Sequence, residues 1–321
     1  MNKTKNVIML LIAAIIWGSA FVAQSVGMDY IGPFSFNGIR QLIGAVVLLP
    51  VIFVFDRIDP ERVKAKAEHR YKKKDLIIAS ICCGLFLSVA TNAQQIGMIG
   101  ASTGKAGFIT TLYIIIVPLI NLLFGKKVSA KVWGGVVIAL VGFYLLSMTA
   151  GDFSISKWDV CLLICAVFFS GQIVCISHFA PLVDGIRLSC YQFVISGVIS
   201  CIIMAVREKP DLHSVLMAIW PLLYAGVLSC GVAYTFQILG QKDFNPTIAS
   251  LIMSLESVIS ALSGWIILGQ SLSHRELSGC VLIFAAVILA QLPERVKEKK
   301  SLPLEGKVSA KLTDEVKTKY L

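Results

Sequence analysis

Residues 254–269 read SLESVISALSGWIILG. One carboxylate, Glu256, stands in a run otherwise made of Leu, Ile, Val, Ala, Gly, Trp and Ser. An ionised group in such a run is costly unless something encloses it. Whether the run is the core of a soluble domain or a helix in lipid is decided by the rest of the chain.

The chain has 321 residues, 56% of them hydrophobic and 15% charged, with a mean hydropathy of +0.80. Soluble domains carry about 25% charged residues, so the composition is that of a polytopic membrane protein. Charge is segregated, with long apolar runs alternating with short basic loops. The net charge of +10 therefore follows the positive-inside rule and is not a nucleic-acid footprint. All nine cysteines fall inside apolar runs and none has metal-site spacing, so they read as small packing residues. Lys3 and Lys5 before an apolar run resemble a signal peptide. However, Phe21-Val22-Ala23 lacks the small outer residue a cleavage site needs, so the segment is expected to stay.

A spanning helix needs about 20 apolar residues. Ten candidates follow: 7–28, 34–55, 76–97, 104–124, 132–149, 158–178, 188–206, 215–239, 247–268 and 276–292. Pro33, Pro210 and Pro246 stand at or near span starts, where a missing N–H costs little. Pro118 lies inside the fourth span and predicts a kink there. With the N-terminus inside, 23 of the 29 Lys and Arg fall on inner segments and five on outer ones, the last being Arg40. That bias places both termini in the cytoplasm. The charged segment 294–321 reads as a solvated tail.

The two halves repeat. IIWGSAFVAQS from Ile15 meets VFFSGQIVCIS from Val167, and RQLIGA from Arg40 meets QFVISG from Gln192, at one shared offset. GLFLSVATNAQQI from Gly84 meets GVLSCGVAYTFQI from Gly226 at a shorter offset, pairing Asn92 with Tyr234 and Gln95 with Gln237. Five spans per half is an odd number, so the second half enters the membrane in the opposite sense. The expected fold is all-α, ten transmembrane helices as two inverted five-helix repeats, 1–151 and 152–293, with a site near the midplane between them.

The aligned residues also resemble a known family. WGSAF in the first span, an Arg in the second after Pro33, and LESVISALSGWIILGQSLS followed by LSGCVLIFAAVIL are similar to the drug/metabolite transporter superfamily, in its EamA-type ten-helix members. The resemblance covers about residues 7–292. It implies two inverted five-helix repeats that carry small metabolites, amino acids or drugs across the cytoplasmic membrane, often outward. Members often place a Pro after the Glu of span nine; here that residue is Ser257, which removes the proline that would break the helix.

Glu256 lies ten residues after Pro246, about 15 Å into a hydrocarbon core of about 30 Å. It must face the bundle interior, where Ser260 and Ser263 share its face. Three roles are open to it: a proton-coupling or cation-binding carboxylate, a neutral hydrogen-bonded packing residue, or a substrate contact. Arg40 is the other intramembrane charge, able to pair with Glu256, to bind an anionic substrate group, or to bond backbone carbonyls. Asn92 and Gln95 on span three and Tyr234 and Gln237 on span eight occupy equivalent positions, as cavity linings or cross-helix hydrogen bonds would. Trp17, Gln24, Tyr113 and Gln172 are further cavity candidates.

GASTGKA from Gly100 lacks phosphate-loop spacing, since Lys105 is followed by Ala. The four histidines are scattered, and no acidic cluster for Mg²⁺ appears in the spans. The expectation is a non-enzyme with no cofactor or metal: a secondary transporter in the bacterial cytoplasmic membrane. Its expected partners are a small-molecule substrate, membrane lipid and, if Glu256 titrates, protons, with no nucleic acid; a monomer and a homodimer are both open. A membrane-embedded receptor or scaffold that binds without moving its ligand is the competing reading.

Overall fold

A computed structural model of the chain describes residues 3–60, 64, 68, 71–126, 128–147, 156–269 and 273–291. The expected tail, 294–321, lies outside these residues. Among them there is no strand, as lipid demands: without water, backbone N–H and C=O groups must pair within their own segment.

The helices are α1 (Lys3–Met28), α2 (Pro33–Ile58), α3 (Lys73–Gly97), α4 (Thr103–Thr110), α5 (Tyr113–Leu123), α6 (Ala130–Ser147) and α7 (Lys157–Phe179). They continue with α8 (Gly185–Arg207), α9 (Leu212–Met217), α10 (Ile219–Leu223), a π-helical segment (Tyr224–Tyr234), α11 (Thr235–Gln241), α12 (Pro246–Met253), α13 (Leu255–Leu268) and α14 (His274–Gln291). Eight stretches are long and apolar enough to cross a membrane, counting α4–α5, α10–α11 and α12–α13 as single spans. The apolar parts of α6 and α14, Ala130–Leu145 and Leu277–Leu289, are shorter, and these two helices pack on each other. Prolines and capping side chains mark the boundaries. Pro33 and Pro246 open α2 and α12. Ser102, Ser156, Asp184 and Asn245 accept backbone N–H groups at the starts of α4, α7, α8 and α12.

Two spans break at residues other than proline. The fourth keeps Pro118 inside α5. It breaks at Thr111-Leu112, where Leu112 N–H reaches Ile109 O at 3.2 Å and the Thr111 hydroxyl donates to Phe108 O at 2.8 Å. The ninth span breaks without any proline, at Ser254, whose hydroxyl donates to Leu251 O at 2.8 Å. Ser257 adds a bond to Ser254 O at 2.8 Å. Side-chain hydroxyls that bond back onto the preceding turn supply the competition that bends a helix. Thr111 and Ser254 hold equivalent places in the two halves, and each break follows a helix of eight residues.

The packing exchanges into itself when the halves are swapped. α2 lies against α8, and α6 against α14. α3 against α7 is matched by α1 against the π segment and α11. α4 and α5 against α7 are matched by α1 against α13 and α12. The correspondence reaches single contacts. Glu208, at the end of α8, accepts from Phe34 N, Ser35 N and the Ser35 hydroxyl at the start of α2, at 2.9, 2.6 and 2.6 Å. Asp56, the first-half counterpart of Glu208, pairs with Arg187, the second-half counterpart of Ser35. Each of these helices thus carries at its end a carboxylate that meets the start of the other, the end favourable to anions.

Gly84 and Gly226 make the matching close approaches. A Cβ on Gly84 would lie 2.9 Å from Ile195 Cβ, and one on Gly226 would lie 2.6 Å from Ile43 Cγ2. Ile43 and Ile195 are themselves counterparts in the repeat. Gly84→Leu and Gly226→Leu should each destabilise the bundle by at least the cost of an overpacked core, about 1–3 kcal/mol. Lower thermal midpoints for both variants in detergent would show it.

Candidate functional site

Fourteen side chains line a cavity of about 30 Å³ in the bundle, roughly room for two water molecules. Ten of the fourteen form five pairs at equivalent positions. Trp17 corresponds to Phe169 and Phe21 to Ile173, at the offset that aligns the first and sixth spans. Gln94 corresponds to Gln237, Thr110 to Met253, and Tyr113 to Glu256, all at a second common offset. The other four are Gln24, Arg40, Ser229 and Tyr234.

Glu256 and Tyr113 each lie just beyond the break in their span, on α13 and α5. The Tyr113 hydroxyl donates to Glu256 Oε1 at 3.0 Å. The breaks turn both side chains inward, and both are buried. Arg40, only 2% exposed, donates from Nε and Nη2 to Asn37 Oδ1 at 3.1 and 3.0 Å and stands 5.9 Å from the Phe36 ring centre. Among the described residues no carboxylate lies within 4.0 Å of Arg40, so the possible pairing with Glu256 is not made. Each charge is instead met by a neutral partner.

Asn37 is the hub behind Arg40. Its amide also donates to Thr91 Oγ1, Asn92 Oδ1 and Ser200 Oγ at 3.0, 2.9 and 3.3 Å, tying α2 to α3 and α8. On the cavity wall, Trp17 packs edge-on to Tyr234 with centroids 4.7 Å apart. The buried Trp17 Nε1, Gln24 Oε1 and Gln237 Oε1 have no hydrogen-bond partner among the described residues. The lining therefore offers a cation, an acid, a free N–H donor and two free carbonyl acceptors in an otherwise aromatic shell. That set suits a polar molecule with apolar bulk.

Of the residues expected from sequence, Glu256, Arg40, Tyr234, Gln237, Trp17 and Tyr113 line the cavity, as does Gln24. Asn92 lies outside it, bonded to Asn37, Ser88 and Ser200. Gln95 is fully buried away from the cavity, and its amide is unpartnered among the described residues. Gln172 bonds Gln192 and Gln237, and the Ser260 hydroxyl bonds Thr103 O at 3.2 Å, tying α13 to α4. Gln94, Thr110, Phe169, Ile173, Ser229, Phe21 and Met253 were not foreseen. The alignment of IIWGSAFVAQS with VFFSGQIVCIS already pairs Trp17 with Phe169 and Phe21 with Ile173. Gln94 was missed by a single position.

A bundle of lipid-length apolar helices around a charged, polar cavity defines an integral membrane protein with a polar interior. The EamA-like transporter family model matches residues 4–148 and again 156–292. The chain belongs to that family, within the drug/metabolite transporter superfamily that the sequence resembled. It is 29% identical over 285 residues to an uncharacterized transporter of Archaeoglobus fulgidus, covering 88% of this chain and 84% of that one. It is 24% identical to the uncharacterized inner membrane transporter YedA of Escherichia coli, covering 86% and 87%. It is 21% identical to an S-adenosylmethionine/S-adenosylhomocysteine transporter of Chlamydia trachomatis, covering 83% and 82%. A solved crystal structure shares the fold with a TM-score of 0.70 at 18% identity, covering 90% of this chain and 97% of its own. The protein is thus a membrane transporter, and its named relatives are transporters rather than enzymes.

Tyr113→Phe removes the donor to a buried carboxyl and should cost about 1–3 kcal/mol. Glu256→Gln keeps an acceptor for the same hydroxyl and should cost less. Thermal unfolding of the two variants side by side in detergent checks this ordering.

Proposed function

We propose that the chain is a secondary transporter that moves a small metabolite, an amino acid or related compound or a drug, outward across the bacterial cytoplasmic membrane by alternating access. In this reading ten helices span the membrane, with α6 and α14 completing the count. They form two inverted repeats, residues 1–151 and 152–293, and both termini face the cytoplasm. The observation that carries it is the cavity built from five equivalent pairs, because a site shared between exchangeable halves is reached from either side as the halves trade conformations. The two segments matched by the family model support the same division.

Arg40 receives an anionic group of the substrate, and Glu256 accepts from its cationic or N–H group. With Tyr113 as its hydrogen-bond partner, Glu256 is also the group on which protons would couple to transport. The relative named as carrying S-adenosylmethionine, an amino-acid derivative, supports a substrate of this chemistry. At about 30 Å³ the cavity is too small for a metabolite, whose pockets are about 300–1,000 Å³, so it must widen to load one.

The extracellular metabolite profile of bacteria overexpressing the chain tests the reading, beside Glu256→Gln and Arg40→Gln at matched membrane levels. One metabolite should rise outside with the wild type and fall back with both variants. A rise with all three forms would take Glu256 and Arg40 off the path while keeping export. An unchanged profile with the wild type, and no uptake in vesicles either, would favour a binding protein that moves nothing.

A further inference from the structure

A second recess of about 610 Å³ opens at the end of the bundle where α1 starts and α11 ends, lined among others by Lys5, Asp184, Ile186, Ile238 and Lys242. Three glutamines sit on helices that reach the recess, α7 and α11 lining the cavity as well. On α7, Gln172 stands next to the cavity residue Ile173 and two turns short of Ala180, which lines the recess. On α8, Gln192 lies about 9 Å along the helix beyond Ile186 of the recess. On α11, Gln237 lines the cavity and its neighbour Ile238 lines the recess.

The three join in a short chain. Gln237 Nε2 donates to Gln172 Oε1 at 3.4 Å, and Gln172 Nε2 donates to Gln192 Oε1 at 3.3 Å. Both bonds are long. All three side chains are nine-tenths buried or more, yet Gln237 Oε1, Gln192 Nε2 and the Ser196 hydroxyl, one turn beyond Gln192, have no partner among the described residues. A bundle that only needed a plug here would gain by filling it with apolar side chains.

The repeat relates these glutamines to the central cavity. Gln192 is the second-half counterpart of Arg40, and Gln237 is that of Gln94; Arg40 and Gln94 line the cavity. When equivalent halves trade conformations, Gln192 takes the place that Arg40 holds here.

We propose that Gln172, Gln192 and Gln237 form a second, amide-lined substrate subsite on the path between the central cavity and the recess. Closed here, it parts when that side opens, and its free amide groups then bond uncharged polar or carboxylate groups of the passing substrate. This rests on the transporter reading, with Arg40 on the central path.

The test uses Gln192→Cys, Gln172→Cys and Arg40→Cys in the full chain, in sealed membrane vesicles of both orientations. A membrane-impermeant charged maleimide is the probe, and modified sites are read by tandem mass spectrometry so that native cysteines are told apart. Position 192 should be labelled from the face that bears the recess, with labelling lost when the reagent is confined to the opposite face; position 40 should be labelled from that opposite face. If Gln192→Cys elutes aggregated, Gln172→Cys carries the same expectation. Labelling at position 40 with none at 172 and 192 would overturn the subsite and leave the central path standing. Labelling at 192 only from the face opposite the recess would also overturn it. No labelling at any of the three positions would remove the path itself, and the subsite with it.

Discussion

The hydrocarbon solvent is the constraint on which everything else in this fold depends. It forces the chain into helices, because no water is present to take a stray N–H or C=O. It also dictates where a helix is allowed to deviate. The breaks at Thr111 and Ser254 and the π-helical turns from Tyr224 to Tyr234 are all largely buried inside the bundle. At the two breaks, hydroxyls of Thr111, Ser254 and Ser257 occupy carbonyls of the preceding turn. Irregular backbone, polar side chains and the two buried charges gather in the same place for the same reason: it is where lipid does not reach.

The charges follow from that enclosure. Arg40 and Glu256 are not neutralised by each other. Asn37 meets one and Tyr113 the other, each through hydrogen bonds between a charged or acidic group and a neutral dipole. An ion pair between them would satisfy both and leave little for a third molecule. Neutral partners steady the side chains while leaving their chemistry available. Asn37 is itself held by Thr91, Asn92 and Ser200, so the guanidinium is positioned by three helices rather than by its own alone. Asn92, expected on the cavity, serves it from behind.

Most of the helices were legible because a spanning run of about 20 apolar residues is a strong signal. The face each helix turns inward was legible only where the repeat kept register. Trp17 and Phe169 both reach the cavity, as the alignment of their spans requires. The third and eighth spans are different. The sequence match there pairs Gln95 with Gln237, whereas the cavity holds Gln94 and Gln237, one position out of step. One residue turns an α-helix by about 100°, enough to carry Gln95 off the lining. The π segment precedes Gln237, and its i→i+5 bonding turns the chain less per residue, a shift no apolar pattern reveals. The breaks at Thr111 and Ser254 leave a fainter mark in sequence than a proline would, since serine and threonine hydroxyls make them, while Pro118 stays inside α5.

Tyr113 and Glu256 hold equivalent places in the two halves and bond to each other; in two halves related by a twofold axis, that contact would fall on the axis. Two identical chains related by such an axis would be obliged to present the same residue to itself: two tyrosines, or two carboxyls sharing one proton or repelling. Halves that differ in sequence, as these do, are free to place a donor against an acceptor there. That difference thus permits a chemical polarity at the centre that a symmetric dimer of half-length proteins is forbidden by geometry to have.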